Sequence, residues 1–229
     1  IPIVLQGSLG RVLSAGKDAT RSRESHQSVS LTVATESQTF RHFGDASREG
    51  TELRVRRNGL TDHMAYNLEL TQSKDPWDGD KTHYDSSYFG FVLGNWIGLV
   101  GNIEKWWGPG WNSSLLLSNN ARPTPGVTLH RNYADAFKLP VLKRLGPWTT
   151  NMFISKLDDE RVIDNAKLVG MTVGFRPAPS LEINLRRTAQ WGGEGRPHGL
   201  KNFIKLIGGM SDNCWTADCR VNEPGNHLA

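Results

Sequence analysis

Three tryptophans stand close together near the middle of the sequence, and their type and spacing could bind a carbohydrate. Trp106, Trp107 and Trp111 belong to the stretch Trp-Trp-Gly-Pro-Gly-Trp. A flat indole ring can cover the C–H face of a pyranose, so the cluster could stack on sugars. A structural role is the alternative, because tryptophan is enriched where a membrane meets water and a Gly-Pro-Gly turn needs an aromatic cover. The residue types lean towards the structural role, and the three side chains stay candidate carbohydrate contacts.

Trp77 is a second stacking candidate, displayed by a polar loop. Asp75, Asp78 and Asp80 flank it. Three aspartates in a short loop also suit Ca²⁺, but their order does not follow that of an EF-hand loop. We therefore predict a carbohydrate contact at Trp77, and neither a metal site nor a bound cofactor.

Arginines that alternate with apolar residues could form a charged surface. Arg54 and Arg56 share one face of a predicted strand, and Leu53 and Val55 take the other. Three further arginines could extend this surface: Arg122, Arg186 and Arg196. A cationic lining would meet a polyanionic glycan through bidentate contacts. An interior ladder of arginines paired with Asp or Glu would use the same residues. Both interpretations stay open, and Arg122 and Arg196 join the predicted carbohydrate contacts.

Adjacent carboxylates at Asp158, Asp159 and Glu160 invite a different interpretation, that of a carbohydrate hydrolase. Glycoside hydrolysis needs two carboxylates at a defined separation, which neighbouring residues in a turn do not provide. A solvated acidic turn is the better interpretation. We predict no catalytic residue and no enzymatic activity, with a hydrolase acting through Asp158 and Glu160 as the alternative.

Cys214 and Cys219 lie five positions apart in a polar stretch. A zinc site needs four ligands, so this pair is too small a set for one. A small loop closed by a disulfide in an oxidising compartment is the favoured interpretation, and a pair of free thiols is the alternative.

The elements that must position these residues show the two-residue period of β-strands. In residues 167–176, for example, Val169, Met171, Val173 and Phe175 alternate with small or polar residues. A period of two means that one face of each strand lies in an apolar medium and the other does not. Ten such runs are predicted: 26–41, 52–57, 63–70, 84–93, 96–106, 113–119, 126–132, 149–156, 167–176 and 181–188.

Two short helices interrupt the strand pattern. Leu200, Phe203, Ile204 and Ile207 recur with a helical spacing and are followed by two glycines. Residues 138–145 form a second candidate helix. In a barrel, such helices would lie in loops or inside the lumen.

The composition favours a transmembrane β-barrel within the all-β class. The apolar fraction is 37%, and the chain carries 24 glycines and eight tryptophans, as expected for strands with one apolar face and aromatic residues at the membrane interfaces. We predict an antiparallel outer-membrane barrel in which residues 1–229 form one domain of a longer barrel. A soluble β-sandwich is the alternative, since alternation alone reports two environments. The net charge of +4 is spread along the chain and gives no sign of nucleic-acid binding.

Several motifs resemble those of one known family. Residues 106–115 and 118–123, and later 192–197 and 223–226, are similar to the signature regions of the Wzi family of capsule-assembly proteins. The resemblance covers roughly residues 85–229, and the first third of the chain matches only in general character. This chain is far shorter than a full member of the family.

The resemblance implies a β-barrel in the outer membrane whose lumen is occluded by helices and folded-in loops, and we expect the protein to be a monomer. It also implies a lectin that anchors acidic capsular polysaccharide at the cell surface, with outer-membrane lipid as the surrounding partner. A porin-like channel or a purely structural barrel is a further alternative to this function.

Overall fold

The computed structural model describes residues 24–33, 48–76, 78–111, 113–157 and 163–209. Within these ranges it contains ten strands and one α-helix, and the strand pairings are antiparallel. The all-β, antiparallel fold with a short helix is therefore as predicted. Six residues singled out in the sequence lie outside the described residues: Trp77, Asp158, Asp159, Glu160, Cys214 and Cys219.

The strands are β1 (Glu24–Val33), β2 (Thr51–Leu60), β3 (Met64–Lys74), β4 (Thr82–His83), β5 (Tyr88–Leu93), β6 (Trp96–Asn102), β7 (Pro125–Arg131), β8 (Trp148–Lys156), β9 (Lys167–Ala178) and β10 (Leu181–Trp191). The helix α1 spans Leu200–Ile207, which are the bounds that its apolar spacing predicts. The second candidate helix is reduced to a 3₁₀ turn at Leu142–Leu145. In the part of the chain that the structure describes, no helix is long and apolar enough to cross a membrane.

One predicted strand is wrong. Residues 113–119 form bends, because their polar groups are satisfied within the same loop. The backbone N–H of Trp107 donates to the carbonyl of Leu117 at 2.9 Å, and the hydroxyl of Ser114 donates to the same carbonyl. A Cβ atom on Gly108 would lie 2.8 Å from Cα of Ser114, so glycine is needed where the two arms of the loop cross. The loop therefore folds on itself instead of adding a strand to the sheet.

Contacts divide the chain into two compact units. The first comprises Ile1–Leu93 and Leu99–Pro123, and the second comprises Gly94–Gly98 and Thr124–Ala229. Strand β6 contributes residues to each.

In the first unit the strand order is β1-β2-β3-β5, with β4 paired to the end of β3. The register places Val55 opposite Leu70 and Arg56 opposite Glu69. The alternation along β3 is the inverse of that in a soluble sheet, since Leu70 is 42% exposed while its neighbour Glu69 is 4% exposed. Apolar side chains therefore face outwards and polar side chains face inwards, as the period of two predicts for a barrel strand.

The second unit has the strand order β7-β8-β9-β10 and the same inversion. Along β7 the exposed Val127 and Leu129 alternate with the buried Thr128 and His130. Helix α1 follows β10 and buries Leu206 completely.

One end of each unit carries a tight turn of two or three residues. In the first unit, three residues join β2 to β3, whereas residues 75–87 and 103–124 form long loops at the other ends of the strands. In the second unit, Pro179 and Ser180 alone join β9 to β10, and the same end also carries the longer β7–β8 connection, residues 132–147; residues 157–166 and helix α1 lie beyond the opposite strand ends. We call these the turn end and the loop end of each unit.

Candidate functional site

The loop end of the first unit begins with a carboxylate that fixes the chain before β2. Glu52 is the second residue of β2 and is 2% exposed. Its Oε1 atom accepts hydrogen bonds from the backbone N–H groups of Arg48 and Glu49, at 2.7 and 2.8 Å. These bonds satisfy buried backbone donors and set the direction in which the side chains of Arg48 and Glu49 leave the chain.

Arg122 binds three carboxylates with its three nitrogen atoms. Nε donates to Asp78 Oδ2 at 2.6 Å, Nη1 donates to Asp85 Oδ2 at 2.8 Å, and Nη2 donates to Glu49 Oε1 at 3.2 Å. Charge-assisted bonds of this kind are among the strongest in proteins, and the planar guanidinium fixes their directions. Arg122 therefore holds together parts of the chain that are up to 73 residues apart.

Arg48 occupies the neighbouring position and shares one of these partners. Its Nε atom donates to Asp85 Oδ2 at 3.1 Å, and its Nη2 atom donates to Glu104 at 3.3 Å. Its Nη1 atom donates to the backbone carbonyls of Asn119 and Asn120. Asp85 is thus the link between the two arginines.

A second group of ion pairs follows along β2 and β3, and the hydrogen bonds of Glu52 to the backbone of Arg48 and Glu49 join it to the first. Arg54 binds Glu52 at 3.2 Å and Glu69 at 3.1 Å, and Arg56 binds Glu69 at 2.5 Å. We call the whole set the ionic ladder: Arg48, Glu49, Glu52, Arg54, Arg56, Glu69, Asp78, Asp85, Glu104 and Arg122. Six carboxylates face four guanidinium groups in this set. For Arg54, Arg56 and Arg122, the geometry is therefore that of a paired ladder and not of a cationic lining.

The charges of the ladder are visible in two pKa shifts at the loop end. Burial alone would raise the pKa of Asp78, but the hydrogen bond from Arg122 and the charge of Arg122 outweigh it and lower the pKa below its ordinary value of 3.8. Burial alone would lower the pKa of Arg122, but the hydrogen bonds and charges of Asp78 and Asp85 raise it. Each partner thus favours the charged form of the other.

Residues 103–124, which we call the tryptophan loop, lie at the same end of the first unit as Arg122 and Asp78. Trp106 is half-buried, and its Nε1–H donates to the carbonyl of Gly110 at 2.8 Å. Trp107 is 2% exposed, whereas Trp111 is 62% exposed. The neighbouring Lys105 donates from Nζ to the carbonyl of Ile103, and burial lowers the pKa of Lys105 to about 8. Of the three clustered indoles, Trp111 is the most exposed to solvent.

The structure brings four of the predicted contact residues into one loop. Trp106, Trp107, Trp111 and Arg122 all belong to the tryptophan loop and to the first unit. Arg196 lies in the second unit, in the connection between β10 and α1, where its backbone N–H donates to the carbonyl of Gly193.

Sequence reasoning missed most of the ladder. Arg48, Glu49, Asp85 and Glu104 carry no local signal, since their partners lie 37 to 73 residues away along the chain. Glu52 could have been found, because it shares the inward face of β2 with Arg54 and Arg56.

Three comparisons relate the chain to known proteins. Residues 20–229 match the family model described as capsule assembly protein Wzi. A Klebsiella pneumoniae protein, described as an uncharacterized 55.8 kDa protein in the cps region, is 33% identical over 153 residues, which are 66% of this chain and 29% of the relative. A solved structure is described as Wzi, an outer membrane protein involved in group 1 capsule assembly in Escherichia coli and a carbohydrate-binding β-barrel.

That structure is 25% identical and superposes with a TM-score of 0.68, covering 85% of this chain and 44% of its own. The strands of this chain therefore match part of a β-barrel. The chain spans less than a third of the length of the curated relative and less than half of the solved structure.

Proposed function

The chain belongs to the Wzi capsule-assembly family, and from that premise we propose that it is a polysaccharide-binding protein of the bacterial outer membrane. In this function it anchors capsular polysaccharide at the cell surface and helps to assemble it there. The activity is binding without covalent chemistry, and the protein works as a monomer surrounded by outer-membrane lipid.

The observation that carries the membrane location is the inverted alternation of the strands. On β3 the apolar Leu68 and Leu70 are exposed, while Asn67, Glu69 and Thr71 are buried. In water, such a sheet would expose its apolar face at a cost of about 25 cal/mol for each Å². In a bilayer, the same face contacts lipid tails and the polar face is enclosed.

The long loops support an assignment of sides. Bacterial outer-membrane barrels have short turns on the periplasmic side and longer loops outside the cell. By this rule the loop end of the first unit faces the exterior, which is where a surface polysaccharide is found. The tryptophan loop lies at that end, and so do the ladder residues around Arg122 and Asp85.

We propose the contact residues in an order that follows their accessibility. Trp111 comes first, because its indole is largely exposed. Trp106 and Arg196 follow as further contacts to an acidic glycan, and Trp77, which lies outside the described residues, is proposed from the sequence alone. Trp107 and Arg122 complete the proposed set, with contributions that come mainly from holding the loop in place, since Trp107 is buried and Arg122 is paired. A repeating polysaccharide could engage several contacts within the tryptophan loop at once, which increases its residence time.

Binding of detergent-solubilised protein to purified acidic capsular polysaccharide, across a salt series, tests the proposal. We expect saturable binding that weakens as salt rises, because the glycan is charged. Trp111→Ala should weaken binding roughly three- to tenfold through the loss of stacking. Leu115→Ala is the matched control, since Leu115 is an exposed apolar residue of the same loop.

Absence of binding to every surface glycan tried would contradict the proposal. Ion conductance in a planar bilayer without saturable glycan binding would indicate a channel instead. Release of shorter oligosaccharides from the polymer would indicate a hydrolase.

A further inference from the structure

Helix α1 packs on the outward face of the second unit. Leu206 has no exposed surface, and it lines a small cavity together with Val169, Met171 and Ala189. The Phe203 ring meets the Trp191 ring edge to face, with centroids 5.1 Å apart. The helix is therefore fixed to the sheet by its own apolar residues.

The register identifies the face that the helix covers. Val169 is opposite Ala189, and Val173 is opposite Leu185, so these four side chains share one face of β9 and β10. On that face, beyond the helix, Leu185 is 62% exposed. The opposite face carries the buried Thr172 and Thr188. Helix α1 thus lies at one end of a mainly apolar surface that continues along the strands, with Arg187 opposite Met171 between Ala189 and Leu185.

Aromatic residues mark both ends of this surface. At the turn end, Phe137 stacks on Trp148 with centroids 4.8 Å apart. At the loop end, Trp191 carries Phe203 on one side and the ammonium group of Lys167 at 4.9 Å from its centroid. Residues 167 to 175 span about 26 Å along the strand, or roughly 20 Å along the membrane normal at the usual tilt. This distance is close to the height of the apolar band of an outer-membrane barrel.

The part of α1 that faces away from the sheet is divided into two strips. Leu200 and Ile204 are 73% and 59% exposed and adjoin the buried apolar side. Lys201 and Lys205 are exposed about a quarter of a turn further round the helix. Around the helix the order is therefore sheet contact, exposed apolar strip and exposed basic strip. This order is typical of a helix that lies in the plane of a membrane interface.

We propose that α1 is an interfacial anchor that binds phosphorylated lipid of the outer leaflet. Leu200 and Ile204 enter the upper part of the acyl layer, and Lys201 and Lys205 contact lipid phosphate groups. The end opposite α1 carries two two-residue turns, at residues 94–95 and 179–180, besides the longer β7–β8 connection, and on these two turns we assign the end where α1 lies to the exterior. The inference rests on the outer-membrane location in the proposed function, but it does not depend on glycan binding.

Titration of the detergent-solubilised protein with lipid A in mixed micelles tests the basic strip. We expect bisphosphorylated lipid A to bind more tightly than its dephosphorylated form. The double variant Lys201→Glu/Lys205→Glu should lose that preference, by about fivefold for each lysine at low salt. Lys138→Glu/Lys143→Glu is the matched control, because these exposed lysines lie at the turn end. Equal binding of both lipids, or equal loss in both double variants, would overturn the proposal.

The depth of α1 in the membrane can be measured independently. Nitroxide labels are placed at Ile204→Cys and, separately, at Lys205→Cys, each in a Cys214→Ser/Cys219→Ser background in lipid nanodiscs. The label at 204 should be more accessible to oxygen, and the label at 205 should be more accessible to a water-soluble nickel complex. Equal aqueous accessibility at both positions would overturn the proposal. Polysaccharide binding by the same variants should be unchanged, and its loss would assign the helix to the glycan site instead.

Discussion

Arg48 and Arg122 donate to the same oxygen atom, Oδ2 of Asp85, at 3.1 and 2.8 Å. Two guanidinium groups this close repel each other unless an anion lies between them. Asp85 supplies that anion, and it is largely buried, with 16% of its side chain exposed. The two arginines extend the link to Glu49, Glu104 and the backbone near Asn119. One carboxylate of the loop at residues 75–87 is thus connected to the chain just before β2 and to the loop at residues 103–124.

Asp85→Asn should therefore be strongly destabilising. Removal of its charge leaves two partly buried guanidinium groups without their common partner, and we expect a loss of about 2–4 kcal/mol in the free energy of unfolding. Asp80→Asn is the matched control in the same loop, since Asp80 is exposed, and it should change stability by less than about 0.5 kcal/mol. Urea unfolding in detergent, followed by tryptophan fluorescence, measures both. Equal effects would contradict the role assigned to Asp85.

The Arg122–Asp78 pair predicts a specific loss of stability in acid. The pKa of Asp78 is lower in the folded protein than its ordinary value of 3.8, so the folded state favours the carboxylate. Its contribution is present above the unfolded pKa and is lost as the pH falls through the lower, folded pKa. The difference in unfolding free energy between the wild type and Asp78→Asn should be constant from about pH 5 to 7 and shrink below about pH 4. A constant difference at every pH would argue against the pair.

Lys105 predicts a second pH dependence of stability, at alkaline pH. Burial lowers its pKa from 10.5 to about 8, so the unfolded state binds the proton more tightly than the folded state does. Its contribution to stability therefore rises as the pH increases from about 8 to about 10.5. Lys105→Met removes this titration and should stabilise the protein at neutral pH, with the advantage shrinking across that range. Melting temperatures of both proteins at several pH values measure it, and parallel curves would contradict it.

Substitution of Trp107 should mainly reduce stability, whereas substitution of Trp111 should mainly weaken binding. Trp107→Ala empties a buried position, so we expect a loss of about 3–5 kcal/mol in the free energy of unfolding. Trp111→Ala should leave stability within about 0.5 kcal/mol and weaken polysaccharide binding. The free energy of unfolding and the affinity for polysaccharide, measured on both variants, test this. A Trp111 variant that unfolds early would indicate a structural role for that indole as well.

The two-residue period of the strands and the helical spacing in α1 allowed most of the fold to be predicted. The bounds of α1 follow from the spacing of Leu200, Phe203, Ile204 and Ile207, because a helix with one apolar stripe has few other registers. The strand predicted at residues 113–119 is wrong, because the alternation there occurs within a folded loop. In that loop Trp107 and Ser114 donate to the carbonyl of Leu117. Short periodic runs do not report the partner that completes their hydrogen bonds.

The candidate site was less predictable than the fold. The choice between a cationic lining and a paired ladder at Arg54 and Arg56 depended on Glu69, which lies on the next strand. Arg122 and Glu49 are 73 residues apart, and no local pattern connects them. Ion pairs of this kind are set by strand register and loop closure, which appear only once the chain is folded.

The inverted alternation along β3 and β7 also determines how the sequence can change over evolution. At outward positions such as Leu70 and Leu129, the neighbours are fluid lipid tails and not a close-packed core, so one apolar residue can replace another with little effect on shape. At inward positions such as Glu69 and Thr128, each polar side chain is enclosed and is costly to replace. We therefore expect homologous chains to drift in the identity of their apolar residues and to keep their interior polar residues, which is the reverse of the pattern in a soluble protein.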